Sequence, residues 1–111
     1  MPENGAIKMI TVIFQVTPRD GEADTYFDIV AELRPELEYI DGFVSIERFE
    51  SRSTPGKYLS LSFWRDEDAV RAWRNHENHA LAQTRGKQEI FADYRISVAE
   101  VVRDYGMADR I

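Results

Sequence analysis

His76 and His79 are the two histidines of this 111-residue chain, which has no cysteine. Three residues apart on a helix, they lie near enough to share a metal. Two ligands from one helix do not make a site, however, and no HExxH pattern occurs, so no metal is expected. His76 has a second use, as a general base or hydrogen-bond donor at the edge of a pocket. The plain alternative is a half-buried helix histidine. His79 reads as a surface residue or a contact with a neighbouring loop. Asn75 and Arg95 are candidates to stabilise an oxyanion or bound oxygen. Arg95 could also anchor an anionic ligand, or simply pair with Glu47, Glu50 or Glu100.

The segment holding both histidines must be a helix. Asp66 suits its N-cap, Glu67 and Asp68 suit its positive end, and Gly86 fits its C-cap, so the helix is expected from Glu67 to about Arg85. At about 100° per residue, Ala69, Trp73, Ala80 and Thr84 align in one stripe, flanked by Val70, Glu77 and Leu81 on one edge and His76 and Gln83 on the other. Small alanines beside one indole leave room between helix and sheet, where a flat apolar or aromatic ligand could sit. Trp73 is then either a core residue or a wall that stacks on that ligand. Trp64 and Phe14 are further candidate walls, and Ala69, Ala80 and Gln83 complete the candidate lining.

The rest of the chain supplies the scaffold. Ile7 to Val16 is rich in β-branched and aromatic residues and reads as a strand, with Ile10, Val12, Phe14 and Val16 on one face and Met9, Thr11, Ile13 and Gln15 on the other. After the turn residues 17–21, Tyr26, Phe27, Val30, Leu33 and Leu37 recur with helical period. Asp20 or Asp24 could cap this helix, and Pro35 is expected to kink or end it. Phe43 to Glu50 and Lys57 to Trp64 alternate as a hairpin pair around a polar turn. Leu59, Leu61 and Phe63 share one face of the second, and Tyr58, Ser60, Ser62 and Trp64 the other. Residues 88–92 suit a short helical turn, and Tyr94 to Val102 is a fourth strand. Residues 103–111 form a polar tail.

The order strand, helix, strand, strand, helix, strand gives an α+β, ferredoxin-like antiparallel sheet with both helices on one face, and one domain over residues 1–111. Two helices cover one side of that sheet. The other side is apolar enough that a homodimer joined sheet to sheet is the simplest way to bury it, at roughly 25 cal/mol per Å².

Charge and composition close other routes. The net charge is −6 with no basic block, which argues against nucleic acid or an anionic membrane as partner. No apolar run approaches the length of a membrane span and no signal peptide is visible, so a cytoplasmic location is expected. Phosphate loops, nucleophile elbows and dinucleotide fingerprints are all missing.

The run Leu59 to Gly86 carries a strand ending Phe63-Trp64, the helix Trp73 and the spacing His79-xxx-Gln83-xx-Gly86. With the Asp41-Gly42-Phe43 turn, the Tyr94–Val98 strand and Val102-Arg103-Asp104-Tyr105, it resembles the antibiotic biosynthesis monooxygenase (ABM) domain family. The resemblance implies a dimeric α+β barrel. It also implies one of several activities. Some members oxygenate polycyclic phenols or quinols without metal or flavin, the substrate carbanion itself activating oxygen in a pocket of Trp, Tyr, Asn and Arg. Others degrade heme with an Asn on the first strand, the helix Trp and a His ten residues after it. Here Gln83 stands at that His position, Ile13 or Phe14 lies near the Asn position, and no Asn occurs between Ile7 and Val16. The expectation is therefore a cofactor-independent monooxygenase acting on a small aromatic, quinol or polyketide-like substrate. The alternative is a non-catalytic small-molecule or heme-binding module, with a stress-response role, on the same fold.

Overall fold

A computed structural model describes residues 8–84 and 87–109. Strand β1 (Ile10–Pro18) is followed by helix α1 (Ala23–Leu37), strands β2 (Phe43–Glu50) and β3 (Tyr58–Trp64), helix α2 (Glu67–Thr84), the short helix α3 (Lys87–Ile90) and strand β4 (Phe91–Glu100). The four strands form one antiparallel sheet in the order β2-β3-β1-β4. This is the α+β ferredoxin-like arrangement the element order implies. Among the described residues no helix is long and apolar enough to cross a membrane.

Alternation decides what each face of the sheet sees. Ile10 and Val16 on β1, and Ser60, Ser62 and Trp64 on β3, are buried, and Val12 and Phe14 pack against the core. These residues face the helices. From α1 come Tyr26, Ile29, Val30, Leu33 and Leu37, and from α2 come Ala69, Val70 and Trp73. Trp64 and Ile90 are wholly buried. The opposite face carries Ile13 paired with Leu61, Gln15 with Leu59 and Thr11 with Phe63.

Three local expectations need correction. Strand β1 starts at Ile10, not Ile7, and extends to Pro18 because Thr17 and Pro18 still pair with Asp93 and Phe91 across an irregularity in the ladder; Ile7 lies outside the described residues. Helix α1 does not end at Pro35 but runs through it to Leu37. Proline removes the hydrogen bond to the carbonyl of Ala31, but Ala31 and Pro35 are both exposed, so water can take that carbonyl. The α1 N-cap is Glu22, without a side-chain cap bond, rather than Asp20 or Asp24. The Gly86 C-cap lies outside the described residues.

The start of α2 is fixed with unusual thoroughness. Asp66 caps it by accepting from the Ala69 amide at 2.9 Å. Arg65 donates two bonds of 3.0 Å to Asp41 and one of 3.1 Å to Asp66. The guanidinium and the capped amide hold both carboxyls below the usual aspartate range. The Arg65 amide also donates to the Gly42 carbonyl at 2.7 Å. Gly42 has φ +97°, and a Cβ there would sit 2.8 Å from Cβ of Ala69. Glycine is needed both for the left-handed backbone and for the close approach of α2. Gly42→Ala is expected to cost about 2 kcal/mol or more, read as a lower urea midpoint; a loss under about 0.5 kcal/mol would contradict this account.

Candidate functional site

The register of the sheet builds a floor under α2. Ser62 on β3 lies between Val12 of β1 and Ile46 of β2, and Ser60 lies between Phe14 and Arg48. Val98 and Ile96 of β4 extend these two rows beyond Val12 and Phe14. Two serines at the centre of the rows are far smaller than their neighbours, so the floor dips along β3. Trp73, Val70, Arg74 and Glu77 of α2 and Tyr26 of α1 stand around the dip. The cavity itself is about 30 Å³, inside a cleft of about 460 Å³ that includes its mouth to solvent. As it stands, the closed part has room for about two waters.

The walls are held by aromatic packing and one buried hydrogen bond. Trp64 Nε1 donates to Ser62 Oγ at 2.9 Å, and Ser62 Oγ donates to the Val12 carbonyl at 3.4 Å. The ring of Trp73 stacks on Trp64, centroids 6.5 Å apart at 27°, and on His76, 5.8 Å apart at 28°. Ring contacts continue from Phe14 to Phe91 and Tyr94, and from Phe91 to Tyr26. Trp64, Trp73 and Phe14, expected as lining, do line the cleft.

The three polar candidates do not meet there. His76 is outside the lining; it is exposed, and its Nε2 lies 2.9 Å from Oε1 of Glu36 on α1. Its place is the α1–α2 seam, at the outer end of the stack on Trp73. Asn75 lines an open groove beside Arg71, Asn78 and Val98. Arg95 pairs with Gln15 in the register and so belongs to the sheet face turned away from the helices. Glu47 and Glu50 are on β2, at the far edge of the sheet from β4, which removes them as partners for Arg95. Ala69 is buried against the turn at Gly42, so the hollow owes nothing to it; the serines of β3 make it. The side chains of His79, Ala80 and Gln83 lie outside the described residues. Among the described residues, no group of three or more His, Asp or Glu is placed to hold a metal.

The polar groups that do face the cleft are Arg48, Arg74, Glu77, Tyr26 and the two serines. Sequence reasoning gave none of them a part in the cleft. Arg48 follows Ile46 by two residues and so shares its inward face. Glu77 sits on the apolar edge of the α2 stripe, four residues after Trp73. Each is a charge on a face otherwise given to the core, which is the signal that could have found them. Burial pushes the Tyr26 hydroxyl above its ordinary value, and the Glu77 carboxylate adds to this, while the Arg48 guanidinium beside it pulls the other way. At neutral pH the phenol therefore keeps its proton.

Ser62 is the joint between floor and wall. Ser62→Ala would leave the fully buried Trp64 N–H without its acceptor, at an expected cost of about 1–3 kcal/mol. Chemical denaturation measures it, and a neutral result would show that the indole finds another partner.

Comparison with known proteins agrees with this architecture. The profile of the family described as antibiotic biosynthesis monooxygenase matches residues 9–85. The chain is 45% identical over 93 residues to jasmonate monooxygenase ABM of Pyricularia oryzae, covering 84% of this chain and 43% of that protein; it thus spans less than half of that relative. It is 32% identical over 84 residues to the uncharacterised YqjZ of Bacillus subtilis, covering 75% of this chain and 72% of that one. Among solved structures, Rv0793 of Mycobacterium tuberculosis superposes with a TM-score of 0.74 at 18% identity, over 88% of this chain and 99% of that one. PA3566 of Pseudomonas aeruginosa gives 0.71 at 19% identity, over 91% and 100%; at such identities the likeness speaks for the fold. With a family match over most of its length and a relative at 45% identity, the chain belongs to the antibiotic biosynthesis monooxygenase family.

Proposed function

We propose that the chain is a monooxygenase that oxidises a small aromatic, quinol or polyketide-like substrate in the cleft between α2 and the sheet. The observation that carries this is the lining: two stacked indoles and Phe14 around a hollow that also holds a carboxylate and two guanidinium groups. Aromatic walls bind a flat ring by dispersion and stacking. The name of the Pyricularia oryzae relative adds jasmonate to the substrates worth testing. With a cavity of only about 30 Å³, a ring must lie in the mouth of the cleft or push α2 outward.

The chemistry proposed follows the family resemblance. The substrate loses a proton to become a carbanion, which reacts with oxygen. One oxygen atom stays on the carbon, and the other leaves as water with the two hydrogens of the oxidised CH2. His76 stands away from the cleft, so the base proposed is Glu77, the carboxylate among the described lining residues. Tyr26, protonated, is a hydrogen-bond donor towards developing negative charge.

Heme does not fit this reading. Gln83 stands at the position of the heme-ligating His, and Phe14, near the position where heme-degrading relatives are expected to carry an Asn, faces the cleft with a phenyl ring. Oxygen uptake with a panel of anthrones, quinols and jasmonate is expected to show turnover without added metal or flavin. Trp73→Ala should lower it by about tenfold or more. Absence of uptake across the panel, or a strong Soret shift on titrating hemin, would overturn the reading.

We also propose that two copies join through the uncovered sheet face. Ile13, Leu59, Leu61 and Phe63 are only partly covered there, and Phe49, paired with Leu59, is 44% exposed. Burying such a stripe is worth roughly 25 cal/mol per Å². Sedimentation at micromolar concentration should give a dimer, and Leu61→Asp should give a folded monomer; a monomeric parent protein would refute the interface.

A further inference from the structure

Arg48 is the anomaly of the cleft. Its Nε is buried and has no hydrogen-bond partner. Buried polar groups in folded proteins nearly always find partners, and a buried guanidinium N–H left without an acceptor is costly. A fold that keeps such a group gains something from it in another state. The residue sits opposite Ser60 in the floor and reaches the cleft beside Tyr26. Among the described residues, the charges facing the cleft are Arg48, Arg74 and Glu77. Two cations against one anion make a locally positive hollow in a chain of net charge −6. Its closed part, about 30 Å³, suits a head group and not a ring. A planar fork of N–H donors matches a carboxylate in both shape and charge.

We propose that the hollow of the cleft binds the carboxylate of an amphipathic organic acid on the guanidinium of Arg48, with the acid's apolar body lying towards the mouth against Trp73. This rests on the reading of the cleft as the substrate site and narrows its substrate to acids. In the absence of ligand, the buried Nε of half-buried Arg48 has no acceptor, although Tyr26 bonds another part of its guanidinium. The ligand supplies the missing acceptor. Stability is thus given up at one residue for recognition.

The chain's two tryptophans, Trp64 and Trp73, both line the cleft, so their fluorescence reports occupancy. The probes are cyclohexylacetate and cyclohexylacetamide, which share a shape and differ in charge. The acid is expected to bind at least about tenfold more tightly than the amide. Arg48→Met should bring the two within about twofold, while Arg52→Met, in the β2–β3 turn, leaves the preference intact. Because the buried Nε of Arg48 has no acceptor in the free protein, Arg48→Met should leave Tm unchanged or raise it. Equal binding of acid and amide, no binding of either, a preference that survives Arg48→Met, or a Tm lowered by more than about 4 °C would each overturn the proposal. Oxygen uptake separates this outcome from the previous one. Arg48-dependent acid binding without turnover keeps the anion site and removes the monooxygenase reading. Turnover of neutral quinols without an acid preference does the reverse.

Discussion

A buried indole N–H must find an acceptor, and in this protein it finds one two residues back on its own strand. The bond from Trp64 to Ser62 decides much else. It turns the largest side chain of β3 into the core at full burial and keeps a small hydroxyl at the next inward position. A larger apolar residue at position 62 would fill the floor and leave the indole unpaired. The same pair of atoms therefore stabilises the core and preserves the cleft. Trp73 then stacks on Trp64, and the wall of the cleft inherits its orientation from the strand below it.

The fork of Arg65 does the corresponding task for the helix. Asp41, Asp66 and the Gly42 carbonyl all take a bond from this one residue. These groups are solvent-exposed, so their ion pairing is screened and modest in energy. Their value is geometric. They set the axis of α2 where it leaves β3, and with it the distance between Trp73 and the serines. Packing of Ala69 against Gly42 sets the same distance from the other side, by contact instead of charge.

Much of this was legible in the sequence. Alternation in β1, β2 and β3, the Asp66 cap and the position of α2 follow from residue patterns, and the element order implies the sheet. The walls Trp64, Trp73 and Phe14 were legible too. The polar residues were not. His76 attracts notice because histidine is rare here, yet helical spacing alone cannot tell the cleft edge from the α1–α2 seam, which lie on neighbouring edges of one stripe. Arg95 could be assigned to a face only once its register with Gln15 was fixed. Arg48 is on β2 beyond an irregularity between Phe43 and Ser45. That slip shifts which β2 residues point inward and hides the charge that this strand turns towards the helices. The hollow was attributed to small residues of the helix, yet Ala69 packs against the turn at Gly42, and the small side chains on the floor are Ser60 and Ser62.

Ser60 and Ser62 occupy separate rows of the sheet, one ending at Arg48 and the other at Ile46. Each row can therefore be deepened or made shallower on its own, by exchanging a single hydroxymethyl group for hydrogen, methyl or a branched chain. The outline of the walls need not change. Relatives with the same indoles can in this way differ in how far a ligand sinks and which end of it meets charge. Selectivity among members of such a family is then written in the smallest side chains of a central strand, where comparisons of the large aromatic residues would miss it.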